Sequence, residues 1–258
     1  MTTHRPSRLR LHPAFTIMEL IVTVAIVVVL AALTITVVTS MRGEANLVRA
    51  TEKIKRLGEA FEAYTSDHGG VLPREDAPGS DRDWSTVRKP EASEAWYNAL
   101  PALMGAATVG ELSDHPEGFY HDSYPLAVPG APYPKGSKKF KRPYFAIAMN
   151  SRLQRRNKDG EKEPGMLAAI QDQVRTVAFL ERGMPRDQMV SKAQRGFTGE
   201  PKANARAFAG RHNEKGLLLF LDGHTEVRSV SDLIEKTGRI IYPQVDIIWT
   251  PNPEEDPN

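Results

Sequence analysis

The first pattern along the chain is an apolar block broken once, HPAFTIMELIVTVAIVVVLAALTITVVTSMRGE, with Glu19 inside it. The 22 residues from Leu20 to Met41 carry no charge, a length that can cross a lipid core. Beyond it, Leu47, Ala50, Ile54, Leu57, Phe61, Tyr64 and His68 recur at alternating steps of three and four, one face of a helix. Arg49, Glu52, Lys53, Lys55, Arg56, Glu59 and Glu62 fill the other faces, which reads as a solvated surface with Glu52 and Arg56 in the favourable i,i+4 order. Gly69 and Gly70 are helix terminators, so the pattern predicts one helix from about Phe15 to Asp67. Its second half needs a cover for its apolar stripe, and the rest of the chain must supply it.

From Pro73 to Pro90 the composition is that of a surface loop. PEASEAWYNALPALMG reads as a short helix opened by Pro90, with Trp96, Leu100 and Leu103 inward, and Val109 to Lys139 as mostly loop. RPYFAIAMNS, VRTVAFLER and GLLLFLDGHTEVRSV carry strand signals. Within the last, Asp222-Gly223 predicts a two-residue type I′ hairpin turn. In YPQVDIIWTPNPEEDPN, Val245 to Trp249 reads as a strand closing the sheet, Trp249 as a core or edge-covering residue, and the last eight residues as mobile. The class is α+β: a long N-terminal helix, membrane half plus amphipathic half, packed on a C-terminal antiparallel sheet.

Composition bounds the remainder. At 258 residues, 40% apolar and 26% charged, one ordinary globular domain fits beyond the apolar block. Arg5, Arg8 and Arg10, with no acids, precede Phe15; without them the net charge changes from +2 to −1, so the basicity belongs to the leader and no polyanion-binding domain is implied. The absence of cysteine excludes a disulfide framework and a thiolate metal site. By the positive-inside rule the arginines stay cytoplasmic and residues after about 42 lie across the membrane. The expected division is a leader at 1–14, a membrane and assembly segment at 15–41, and a globular domain at 42–258 that includes the amphipathic half-helix 43–68.

The apolar run is longer than the 7 to 15 residues of a secretory signal, and no A-x-A site closes it. The small residue, Ala14, comes before the run, so a cut there would leave the helix on the mature protein. A carboxylate inside a bilayer costs about 2.5 to 3.5 kcal/mol on insertion scales and usually has a partner. Cleavage after Ala14 would give Phe15 a free amine able to pair with Glu19, within one helix or between two staggered copies.

With the cut placed after Ala14, A/FTIMELIVTVAIVVVL resembles the class III signal of type IV pilins and type II secretion pseudopilins, close to G/FTLIELLVVIAIIAIL. The resemblance implies cleavage after Ala14 by a prepilin peptidase, methylation of the Phe15 amine, and a subunit-registering role for Glu19. Ala14 stands where the family usually has glycine, and no proline interrupts the helix after Leu20. FEAYTSDHGGVLPRED is similar to the helix end of major pseudopilins. His212, nine residues, then Asp222-Gly223 fits the H-X9-DG pattern of many pilin-like proteins with this leader, a motif of unknown role. The implied fold is pilin-like. The implied partners are identical or related pilin subunits, prepilin peptidase, inner-membrane assembly machinery and membrane lipid.

Other chemistry has weaker signals. His212, Asp222 and His224 could gather around a metal, as could Asp114, His115, His121 and Asp122, but neither spacing is diagnostic and no metal site is assigned. Major pseudopilins as a group bind calcium through loop oxygens, so the resemblance leaves calcium open with its ligands unassigned on this chain; no other cofactor is expected. PKGSKKFKRPYF, with Lys135, Lys138, Lys139, Lys141, Arg142, Phe140 and Tyr144, has the composition of a weak single-strand nucleic-acid site or of a charged loop leading into a strand. Without an overall basic field, nucleic acid is not an expected partner. No nucleophile elbow, P-loop, HExxH or dinucleotide fingerprint occurs, so an enzyme is not expected. The reading is a pseudopilin-like structural subunit of a type II secretion or type IV pilus-like filament, single-pass in the inner membrane with its C-terminal domain periplasmic or extracellular. The alternative is a non-assembling, membrane-tethered binding or catalytic module that uses the pilin export signal.

Overall fold

A computed structural model describes residues 16–77 and 83–258, without the side chains of residues 35–37, 39–40 and 139–140. The fold is mixed α/β. Helix α1 runs Ile17–Asp67, and the chain divides into two compact units at Arg42/Gly43.

In the first unit, Ile17–Thr34 is long and apolar enough to cross a membrane, about 27 Å at 1.5 Å per residue. Among the described residues none buries this stretch. Its hydroxyls are satisfied within the helix: Thr23 Oγ1 donates to the carbonyls of Glu19 and Leu20 (2.9 and 2.8 Å), and Thr34 Oγ1 to that of Leu30 (2.7 Å). No hydroxyl donor is therefore left bare in an apolar surrounding.

In the second unit, Ala50, Ile54, Leu57, Phe61 and Tyr64 are buried as the three-and-four periodicity requires, with Leu47 partly so. His68 is exposed, because the helix ends one residue earlier; its ring stacks on Tyr64 at 3.9 Å. A two-bond C-terminal cap closes α1: Gly70 N–H donates to Thr65 O (2.7 Å) and Gly69 N–H to Ser66 O (3.4 Å), with φ of +61° at Gly69.

Two shorter helices follow, α2 (Trp84–Val87) and α3 (Trp96–Leu103). The helix expected from Pro90 begins at Trp96, Pro90–Ala92 forming a separate 3-10 turn. Trp96 and Leu100 point inward, but Leu103 in the last turn is exposed.

The strands are β1 (Ile147–Asn150), β2 (Arg155–Arg156), β3 (Lys162–Glu163), β4 (Val177–Glu181), β5 (Lys202–Ala203), β6 (Lys215–Phe220) and β7 (Thr225–Ser229). β2 and β3 form their own small hairpin, and the others form a sheet in the order β5-β1-β4-β6-β7. The β1–β4, β4–β6 and β6–β7 pairings are antiparallel and the β5–β1 pairing is parallel. Side-chain alternation splits the sheet between two cores. Ile147, Met149, Leu217 and Leu219 join α1 and α3, where the Phe179 ring lies edge-on to Phe61 (5.6 Å) and Trp96 (5.2 Å). Ala148, Leu180, Leu218 and Phe220 meet Phe208, Leu233, Ile240 and Trp249 on the other face.

That second face corrects two expectations about the C-terminus. Val245 to Trp249 forms no regular strand, making a single bridge, Thr176 to Ile248, while Val245 is exposed and Trp249 packs into the second core. The last eight residues are pinned: Asn258 accepts from Ile240 N–H (2.7 Å) and donates to Ile240 O (3.0 Å), Arg239 pairs with Asp256 (2.9 Å), and Arg152 donates to Pro257 O (2.7 Å).

Candidate functional site

Ala14 and Phe15 lie outside the described residues; Glu19 does not. Thr16 precedes α1, and its backbone N–H and Oγ1 both donate to Glu19 Oε2 (3.0 and 2.9 Å). In return Thr16 Oγ1 accepts from Glu19 N–H (3.2 Å). This reciprocal pair is a capping box, Thr-x-x-Glu, which satisfies two of the donors that every helix start leaves open. The sequence signal was present in TIME, although the carboxylate read there as a partner for the Phe15 amine. Both bonds fall on Oε2, so Oε1 keeps its acceptor capacity. Around this carboxylate Ile17, Met18, Leu20 and Ile21 are exposed. The site is thus a locally bonded acid at the head of an uncovered apolar rod.

The H-X9-DG residues do not converge. Six-residue β6, roughly 20 Å of extended chain, separates His212 from Asp222. His212 N–H and O exchange bonds with Lys215 (2.9 and 3.1 Å) across Asn213 and Glu214, whose φ values of 54° and 66° make this the two-residue I′-like turn. Asp222-Gly223 is not such a turn. Gly223 N–H donates to Phe220 O (3.1 Å) and Phe220 N–H to His224 O (3.0 Å), a three-residue connection in which only Gly223 has positive φ (86°). The Asp222 carboxylate accepts from His224 N–H (3.2 Å) and contacts His224 Nδ1 (2.5 Å), holding the turn from inside. The motif marks the two ends of one strand.

Between those ends lies a buried charge network. His212 Nε2 contacts Glu181 Oε1 (3.1 Å), and Leu217 N–H donates to Glu181 Oε2 (3.1 Å). Arg211 approaches the same carboxylate (3.9 Å) and donates to both oxygens of Asp187 (3.0 and 2.5 Å). Arg182 donates to the carbonyls of Glu200 and Gly196 (2.6 and 2.7 Å) and to Thr198 Oγ1 (2.7 Å). Every charge here has an opposite charge or a carbonyl beside it, as burial demands. None of Glu181, Arg211 and Asp187 carried a signal readable from sequence.

The alternative metal groupings are not brought together. Among the described residues no three His, Asp or Glu side chains gather as ligands would. Asp114 pairs with Arg88 (3.2 Å), His121 with Ser123 (2.7 Å) and Asp122 with Arg49 (2.6 Å). Lys53, expected on the solvated face, is half-buried and donates to the carbonyls of Tyr124 (2.8 Å) and Ala127 (2.7 Å) as well as Asp122. Burial lowers its pKa from the ordinary lysine value, against the pull of the Asp122 carboxylate.

Comparison with family models, with curated proteins and with solved structures finds no match to this chain.

Proposed function

We propose that the chain is a pseudopilin-like filament subunit, cleaved after Ala14 by a prepilin peptidase and assembled through α1. The observation that carries the reading is an apolar helix start, uncovered along Ile17–Thr34, with Glu19 holding a free acceptor oxygen at its head. In lipid, an unburied apolar helix with one acid gains from a neighbour that supplies a donor to that acid. A methylated amine on Phe15 of an adjoining copy is such a donor and would set the axial stagger. Inner-membrane insertion with the C-terminal domain periplasmic or extracellular belongs to the same reading. The second reading, a tethered module that does not assemble, gains from the capping box: Glu19 already has donors within its own chain.

Glu19→Ala and Thr16→Val separate the two. Both remove the capping box, but only the first removes the carboxylate. Filament assembly is expected to drop on the order of tenfold or more for Glu19→Ala, as for an ion pair broken in an apolar setting, and to persist for Thr16→Val. Equal assembly by wild type and Glu19→Ala rejects the filament reading. Mass spectrometry of the protein from its host should find methylated Phe15 at the N-terminus; an intact leader rejects processing.

A further inference from the structure

Gly136–Phe140 is a 3-10 turn, with Lys135 and Lys141 flanking it. Lys138 lies in this turn, Lys135 precedes it in extended conformation and Lys141 follows it, and all three line one cavity of about 430 Å³. Arg186, from the segment after β4, lines the same cavity, with Tyr144 and three prolines as apolar wall.

Among the described residues no carboxylate lines this cavity. The nearest in sequence, Asp187, is turned inward, where Arg211 and the Met184 N–H (2.7 Å) occupy it. The adjacent Arg142 is also engaged, donating to Thr198 O (2.8 Å) and lying 4.6 Å from the Tyr144 ring centre. Elsewhere several arginines meet acids, as in Arg49–Asp122, Arg88–Asp114 and Arg228–Asp246. Four cations sharing a cavity without an acid repel one another, and an anion entering from solvent relieves that repulsion.

We propose that this cavity binds a ligand carrying two or more phosphate groups. A phosphate monoester bears about 1.5 to 2 negative charges at neutral pH, so two neutralise the four cations where two carboxylates would not, and a run of singly charged phosphodiesters does so with about twice as many groups. The Arg186 fork suits bidentate phosphate contact and the lysines act as point charges. A cavity of this size falls within the range for small-ligand sites, about 300–1,000 Å³. Tyr144 and the prolines leave a face for a sugar or ring. The inference is independent of filament assembly.

The test is calorimetric titration of the full-length protein in neutral detergent with inorganic tripolyphosphate, and separately with hexathymidylate. Tripolyphosphate is expected to bind one-to-one. Arg186→Gln should weaken it tenfold or more, and the Lys138→Gln/Lys141→Gln double variant likewise, while Lys158→Gln in the β2–β3 turn should not. All four side chains are solvent-facing, and circular dichroism checks that each variant folds. Hexathymidylate binding with the same variant dependence identifies a nucleic-acid strand as a source of the phosphates; binding of tripolyphosphate alone identifies a small molecule. Four results overturn the proposal: no tripolyphosphate binding, equal affinity in Arg186→Gln and wild type, binding of hexathymidylate alone, or a glutamate hexamer binding as tightly.

Discussion

Glu19 has one role in the structure and a second in the proposal: as the third residue of α1 it closes a capping box with Thr16, and in the proposed filament its Oε1 would meet a donor from an adjoining copy. Loss of the Thr16 hydroxyl alone is expected to cost about 1 kcal/mol at the helix start, read as faster amide exchange over Ile17–Leu20. Unchanged exchange in Thr16→Val would show that the cap is not stabilising there. Glu181 is a second carboxylate bonded within the chain. Removing it in Glu181→Ala leaves the His212 ring and the Leu217 N–H buried without their acceptor, while Arg211 keeps Asp187, and should cost about 1–3 kcal/mol. A melting curve superimposable on wild type would refute the network's role.

At the scale of elements, α1 meets the β6–β7 hairpin at Gly58. A Cβ there would stand 2.9 Å from Leu219 Cδ1 and 3.4 Å from Gly223 O. Gly58→Leu is therefore expected to wedge the seam and to lower stability by about 1–3 kcal/mol, seen in denaturant midpoints; a midpoint at or above wild type would show that the seam yields freely. This position was legible neither as core nor as surface, because a glycine has no side chain to enter an apolar count. The apolar stripe of α1 was legible, since burial of one helix face imposes its period on any sequence. The type I′ turn was misplaced for a related reason. Asp-Gly is the stronger local signal, yet strand register put the two-residue turn at Asn213-Glu214 and gave Asp222-Gly223 three residues to close.

At the scale of the whole chain, carboxylates tie distant segments together and set the acid limb of stability. The Arg175 hydrogen bond to Asp172 (2.7 Å) holds that carboxyl below its ordinary pKa, while Arg175 also donates to Val245 O (2.7 Å). The backbone N–H of Asn258 does the same for Asp256. A depressed folded pKa contributes stability above the unfolded value, near 4, and loses it as pH falls through the folded value. Thermal melts from pH 7 to pH 2 should decline below about pH 4, and Asp172→Asn should flatten that decline while costing more at pH 7 than at pH 2. An equal cost at both pH values would exclude the linkage.

The order of the chain by itself determined the uncharged apolar run, the helix stop at Gly69 and Gly70, the buried stripe of α1, and the strand-forming segments that became β1, β4, β6 and β7. These follow from periods of 3.6 and 2 and from residues with special backbone freedom, all local properties. Only the tertiary structure decided that the sheet has two covered faces, that Asn258 and Pro257 anchor the tail, that His212 reaches Glu181 rather than Asp222, and that Arg186 lines one cavity with three lysines. Each depends on segments far apart in sequence meeting at a few ångströms, and a pairwise distance is not encoded in any one window of residues.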